Sequence, residues 1–351
     1  MTLITIQKDE SDFRIDRWFR RKYSAFSFIQ VVQFLRKSLI KVNSSKVAAS
    51  YRLQEGDVVH VSRLVDNLVE KMRVGKDVNK RSGNKWSARH EKFVEKIRRT
   101  IIYSDSKLLI FNKDAGVAVQ GGTSVSISID DVSHMLVGGD SRDNGCTANR
   151  EVRPKIVHRL DKGTSGVFVL AKTYEVAQML SSLISRRMVK KRYVAIVRGR
   201  PKQSSGVINV PLDKLGGGGN NHKDGSSIGK SMEKNMPLYQ DSVTHYSTIC
   251  SNGEYSVLAI DIETGRKHQI RRHLTYIGCS VVGDKRYRGD GVGSGCNGIK
   301  GNCMYLHSHI LEFALDGVNM YIRAELPHYF DEFVEHNFSA RLYERYRHYI
   351  G

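Results

Sequence analysis

VHRLDKGTSG, residues 157–166, places an imidazole, a guanidinium and a carboxylate within four residues and follows them with small hydroxyl and glycine residues. Two readings of Asp161 compete. In one, its carboxylate closes an Asx turn on the backbone amides of Gly163 or Thr164. In the other, it is a reactive group. The flanks narrow the choice of fold. KIV (155–157) is a short apolar approach, and GVFVLAK (166–172) reads as a buried strand. A strand–loop–strand passage holds a side chain rigidly at the rim of a sheet. Spacing alone favours the turn.

Working outward, the surrounding chain is strand-rich. TIIYSDSKLLIFNKDAGVAVQGG (100–122), KRYVAIVRG (191–199), YSVLAIDIETG (255–265) and YIRAEL (321–326) carry β-branched and aromatic runs between turn residues. One clear helix, YEVAQMLSSLISRR (174–187), sits among them, and WSARHEKFVEKIRR (86–99) has helical character. Strands mixed irregularly with few helices predict an α+β domain on a mostly antiparallel sheet, over 100–351. Three loops, 138–150, 215–230 and 288–302, are glycine-rich. In the second of these, Lys214, His222, Lys223 and Lys230 are either RNA contacts or part of a flexible insertion.

Residues 1–65 read as a separate small module, joined by a charged segment, 66–99, that ends in the helix just named. RIDRWFRRK (14–22) predicts a helix with an apolar stripe, Ile15, Trp18 and Phe19, beside a basic stripe, Arg14, Arg17 and Arg21. Ser27 is the expected N-cap of a second helix, FIQVVQFLRKSLI (28–40), with Ile29, Val32 and Leu35 on one face and Arg36, Lys37 and Lys41 at its end. KVNSSKV (41–47) and GDVVHVSRL (56–64) follow as strands. Basic side chains beside a tryptophan point to nucleic acid.

The 351 residues carry a formal net charge of +20, a surplus that favours a polyanionic partner. With 40% hydrophobic residues the chain folds. The opening MTLITIQKDE lacks the basic start and apolar run of a signal peptide, and no stretch approaches a membrane span. The five cysteines include no Cys-x-x-Cys, which suits reduced thiols in a cytoplasm, and Cys296 and Cys303 match no zinc spacing. No metal site is expected. DGSSIGKS (224–231) fails as a phosphate loop because Asp224 stands where glycine is required. GTSG (163–166) is not Gly-x-Ser-x-Gly, so Ser165 is no nucleophile elbow.

VHRLDKGTSG resembles the His-Arg-Leu-Asp signature of the RluA family of pseudouridine synthases. Other segments agree in the family's order. KKRYVAIVRG (190–199) resembles its next motif, with Tyr193 at the tyrosine. TGRKHQIRRHLTYIGCSVVGDKRY (264–287) resembles the third, with Arg271 at the arginine. MYLHSHIL (304–311) resembles the last, with Leu306 at the leucine. FNKDAGVAVQGG (111–122) resembles the opening of the catalytic domain, and the N-terminal block resembles the αL-type RNA-binding module of small-subunit ribosomal protein four. The N-terminal module, RIDRWFRRKY (14–23) and GVAVQGG (116–122) are similar to the large-subunit synthase C branch, with the D branch alike in architecture. Asp114, Ser280, Cys303 and Ser308 depart from residues usual in the family.

The resemblance implies a pseudouridine synthase fold and an isomerase that needs no cofactor. Asp161 would be the essential carboxylate, acting on base, sugar or a ribose proton. Arg271 would pair with it, and Tyr193 would stack on the uracil and exchange a proton. Leu306 would pack on the other ring face. Arg159 would enter the RNA as the uridine flips out, and His158 would contact RNA or serve as a structural hydrogen-bonder. Arg14, Arg17, Arg21, Arg36 and Lys37 would bind RNA from the N-terminal module. The implied partner is large-subunit ribosomal RNA, the implied state a monomer. The alternatives are transfer RNA as substrate, or a non-catalytic RNA-binding ribosome-assembly factor.

Overall fold

The computed structural model describes residues 2–23, 26, 28–68, 88–122, 125–137, 154–213, 239–287 and 303–351. Ser27, most of the charged segment, the three glycine-rich loops with Lys214, His222, Lys223 and Lys230, and DGSSIGKS lie outside these residues. The chain divides into two compact units, Met1–Ser87 and Ala88–Gly351.

In the first unit, β1 (Thr2–Thr5), α1 (Ile15–Lys22), α2 (Phe28–Arg36), β2 (Ile40–Val42) and β3 (Val58–Val61) enclose one core. The sheet runs β1-β3-β2, all antiparallel. The stripe of Ile15, Trp18 and Phe19 is buried as its spacing predicts. Three expectations differ. Arg14 is the N-cap of α1, in extended conformation, and forks onto Asp16 at 2.7 and 3.2 Å. The buried face of α2 is Val31, Phe34 and Leu35, at i, i+3 and i+4, so Val32 lies off its centre. α2 stops at Arg36 because Ser38 takes a left-handed backbone (φ 57°), which frees Ile40 to start β2. Asn43 and Ser44 (φ 47° and 64°) then turn the chain, so KVNSSKV is a short strand and a turn.

The second unit opens on α3 (Ala88–Arg98), whose Val94 and Ile97 are buried in its core. The helix assigned by sequence to the linker therefore belongs to this unit's packing. Then come β4 (Ile101–Ser104), β5 (Leu108–Lys113), α4 (Ile129–Val137), β6 (Lys155–Ile156), β7 (Ser165–Ala171), α5 (Tyr174–Ser185), β8 (Lys190–Arg198), β9 (Ser205–Asn209), β10 (Leu212–Asp213), β11 (Tyr239–Gln240), β12 (Val243–Ser251), β13 (Tyr255–Ile262), α6 (Gln269–Tyr276), β14 (Leu306–Leu315), β15 (Val318–Arg323), α7 (His328–Asn337) and α8 (Ala340–Ile350). The main sheet follows β4-β5-β7-β14-β8-β13-β12-β9, with β15 on β14 and β6 on β7. Among the described pairings of this sheet, β7–β14 is parallel and the rest antiparallel. The α+β architecture expected from the sequence is what the chain adopts.

Helices cover both faces. Tyr193, Ala195 and Val197 of β8 point into the core shared with α3, α4 and α6, while Val194 and Ile196 point into the one shared with α7 and α8. A strand buried on both sides reads as a continuous apolar run, which is why YVAIV shows no alternation.

The parallel junction seats the Asp161 loop. His307 and Ser308 of β14 pair with Ser165 and Gly166. Gly166 has φ +104°, and a Cβ there would lie 2.1 Å from the Ser308 carbonyl oxygen. Both backbone strain and overlap forbid a side chain, each costing about 1–3 kcal/mol. Gly166→Ala is expected to destabilise the second unit by at least about 2 kcal/mol. Calorimetry of the full chain checks this, and an unshifted transition would contradict the close approach.

Candidate active site

The loop between β6 and β7 carries Asp161. Its turn is closed by main chain: the Asp161 carbonyl oxygen accepts from Thr164 N at 3.0 Å. The carboxylate is left for another partner, and the competing Asx reading falls away. A second tether holds the loop from the far side, where Gly116 N donates to the Lys162 carbonyl at 2.7 Å. The Gly116 loop is itself pinned by Lys113. This buried ammonium donates to the Asp114 and Val117 carbonyls at 2.9 and 3.0 Å, and burial pushes its pKa down to about 7.

The partner of Asp161 comes from α6. RKHQIRRH looked like a solvated basic run, yet Gln269, Arg271, Arg272 and His273 are all buried. The helix start is fixed by Gln269. Its Oε1 accepts from Thr264 Oγ1 (2.8 Å) and Arg266 N (3.0 Å), and its Nε2 donates to the Val243 carbonyl and Thr244 Oγ1, both at 3.0 Å. His273 lies against Thr244, Ser242 and the Val210 carbonyl at 2.9–3.0 Å, and burial lowers its pKa to about 4. With its polar face so anchored, α6 aims Arg271 at the loop. Arg271 Nη1 donates to Asp161 Oδ2 at 3.0 Å.

The rest of the guanidinium fork is held by Asp284, which accepts from Nε at 2.6 Å and Nη2 at 2.8 Å. Asp284 also receives the amides of Arg286 and Tyr287 at 2.8 and 3.1 Å. Burial acts to lower the Arg271 pKa, but Asp284 and Asp161 outweigh it and raise it, so the cation persists. Gly283 lets the turn form: at φ +78° a Cβ would lie 2.0 Å from the Cys303 carbonyl oxygen. Asp284 was inside a quoted motif but was given no role by sequence. Its signal was available: a carboxylate thirteen residues after an arginine that is to be buried.

The other Asp161 oxygen faces His268. This residue precedes α6 in a left-handed conformation (φ 55°, ψ 29°), with Nε2 3.7 Å from Asp161 Oδ1 and Nδ1 2.9 Å from the Tyr287 hydroxyl. Burial lowers its pKa to about 4, so the ring is neutral at physiological pH. Arg271 also lies over the Tyr287 ring at 5.0 Å. Neither His268 nor Tyr287 was singled out from sequence.

Tyr193 sits on β8 opposite Ser308 of β14. Burial chiefly, and the Asp161 charge, push its pKa up to about 12 despite a hydrogen bond to Ser308, so it keeps its proton. Asp161 and Tyr193 border one cleft of about 940 Å³, lined also by 118–122, 156–160, Lys191 and 262–268. Arg159 is exposed on its wall. His158 lines it too, but its Nε2 accepts the Val169 amide at 2.9 Å and its ring lies 5.2 Å from Phe168; burial lowers its pKa to about 3. That geometry is structural. Leu306 is 3% exposed, packed in the same core as Tyr193, and is not among the cleft-lining side chains. Arg17, Arg21, Arg36 and Lys37 are exposed on the first unit, and Arg14 is spent on Asp16.

Residues 107–276 match the RNA pseudouridylate synthase family. A Rickettsia bellii protein named ribosomal large subunit pseudouridine synthase C is 29% identical over 91% of this chain and 96% of its own length. Its namesake in Haemophilus ducreyi is 27% identical over 93% and 92%. The solved structure of human RNA pseudouridylate synthase domain containing 4 covers 70% of this chain and 96% of its own, with a TM-score of 0.56 at 23% identity, and speaks to the fold. The matched segment spans Asp161, Tyr193 and Arg271, and the chain belongs to the RluA family of RNA pseudouridylate synthases, an isomerase.

Proposed function

We propose that the protein converts uridines of large-subunit ribosomal RNA to pseudouridine, as the names of its relatives indicate for them. One observation carries the reading: Asp161 is held by Arg271 at 3.0 Å, on the wall of a cleft it shares with a protonated tyrosine. At about 940 Å³ the cleft stands near the top of the usual range for ligand sites, about 300–1,000 Å³, with room for an extruded nucleotide.

The reaction breaks the C1′–N1 bond of the uridine and joins C1′ to C5. The proton leaves C5 and N1 gains one, so no oxidant, reductant or water is consumed. Asp161 is the catalytic carboxylate. Arg271 fixes its rotamer through a charge-assisted hydrogen bond, and Asp284 fixes Arg271 in turn. Tyr193, protonated, stacks on the detached base and donates to it. Leu306 supports Tyr193 from the core. Arg159 enters the RNA where the uridine departs, an extrusion that costs on the order of a few kcal/mol. The first unit supplies a basic surface, Arg17, Arg21, Arg36 and Lys37, that grips the phosphate backbone. The enzyme acts as a monomer, in the cytoplasm.

Carbodiimide–primer extension on ribosomal and transfer RNA from a deletion strain tests this. Loss of one or more pseudouridines in large-subunit RNA, restored by the wild-type gene, is the expected result. Loss confined to transfer RNA, or none, would overturn the assignment.

A further inference from the structure

Lys191 lies on β8 two residues before Tyr193, on the same side of the strand. Its stem walls a small apolar pocket with Val157, Leu180, Val189, Leu311 and Phe313, and the same side chain lines the large cleft. A lysine so placed buries its methylenes and presents its ammonium at the cleft wall. Among the described residues, no carboxylate and no hydrogen-bond acceptor partners that ammonium, and burial with no compensating anion pushes its pKa down. The two carboxylates of the cleft wall are engaged elsewhere. Asp161 is bound to Arg271, and Glu263 lies 3.5 Å from Arg187 and 2.8 Å from His245. The neighbouring ring, His158, is neutral and takes the Val169 amide. A half-buried cation without a counter-ion is costly, and an incoming anion offsets that cost.

We propose that the Lys191 ammonium is a preorganised seat for one backbone phosphate next to the extruded uridine, so that the nucleotide is gripped at its phosphate while Asp161 and Tyr193 address its sugar and base. This rests on the functional reading above. The packed stem fixes the ammonium in place, whereas an exposed lysine must be ordered on binding.

The probe is an unmodified large-subunit ribosomal RNA transcript from the source organism. Its Kd is measured against KCl concentration for the full-length protein and its variants. Lys191→Met keeps the stem and removes the charge. It is expected to weaken binding about tenfold or more and to reduce the slope of log Kd against log salt by about 0.7–0.9, the release of one counterion. Lys191→Arg is expected to restore both, and the melting temperature of Lys191→Met to equal or exceed wild type. Should Lys191→Met fail to fold, Lys191→Gln reads the same slope. Unchanged affinity and slope would overturn the proposal, and so would weakened binding at an unchanged slope, which marks a packing role. Asp161→Asn in the same assay separates the two readings. If it still isomerises, the catalytic assignment fails, while the Lys191 slope still decides whether an anion is seated there.

Discussion

Asp161→Asn is expected to abolish isomerisation, lowering single-turnover rates by at least about 10⁴-fold, while RNA affinity is retained. The substitution keeps the volume and leaves a carbonyl oxygen to accept from Arg271, so the loop, tied by the Thr164 and Gly116 amides, stays in place. What is lost is the negative oxygen. No other group can supply it. Glu263, the other carboxylate on the cleft wall, is paired with Arg187 and His245, and Asp284 is fully buried under Arg271. Tritium release from RNA carrying 5-tritiated uridine reads the chemistry, and filter binding reads affinity. Turnover within an order of magnitude of wild type would sink the assignment of Asp161. Loss of affinity together with turnover would show a structural defect instead. A binding protein with no catalytic role, the rival reading of the sequence, would show no isomerisation in the wild type to begin with.

Asp284→Ala should unfold the site from beneath. The guanidinium of Arg271 is largely buried, and two of its three bonded nitrogens are committed to Asp284 at 2.6 and 2.8 Å. Removing one member of a buried pair leaves an uncompensated charge and costs about 3–5 kcal/mol, which for a unit this size lowers the melting temperature by about 10 °C. Asp161 loses its fixed rotamer as Arg271 relaxes, so activity should fall as well. The double variant Arg271→Met/Asp284→Leu separates the two effects. It replaces the pair by apolar groups, and stability is expected to recover by several kcal/mol with no recovery of turnover. Restored turnover would show that the ion pair is dispensable for chemistry. An unshifted melting temperature in Asp284→Ala would show that the pair carries no structural charge balance.

Much of this protein is legible in one dimension. The strand KLLIFNK, the helix after Thr173, the apolar stripe of α1 and the double-buried run YVAIV follow from periodicity and propensity, which are local properties of the chain. The motif order placed Asp161, Tyr193 and Arg271 among the groups of interest because residue type and spacing survive in sequence. Errors fell where tertiary packing overrode local pattern. α2 was drawn four residues too long because Ser38 adopts a left-handed turn that lets Ile40 pair with Val61. Arg14 was placed on a helical stripe although it caps the helix and binds Asp16. His158, half-buried against Phe168, spends its acceptor on a strand amide that lies eleven residues further along.

The sequence by itself determined the α+β class, the basic character and the identity of the reactive carboxylate, since each depends on residue type, period or a contiguous motif. Only the tertiary structure decided what surrounds that carboxylate. Arg271 is 110 residues away in the chain, and its burial depends on Gln269 and His273 fastening α6 to β12. Asp284 reaches it through a glycine turn whose tightness is set by the Cys303 backbone. Lys191 stands unpaired because the carboxylates on the same cleft wall are held by other cations. Burial and charge balance are sums over neighbours that folding brings together from distant segments, and no local window of the chain contains them.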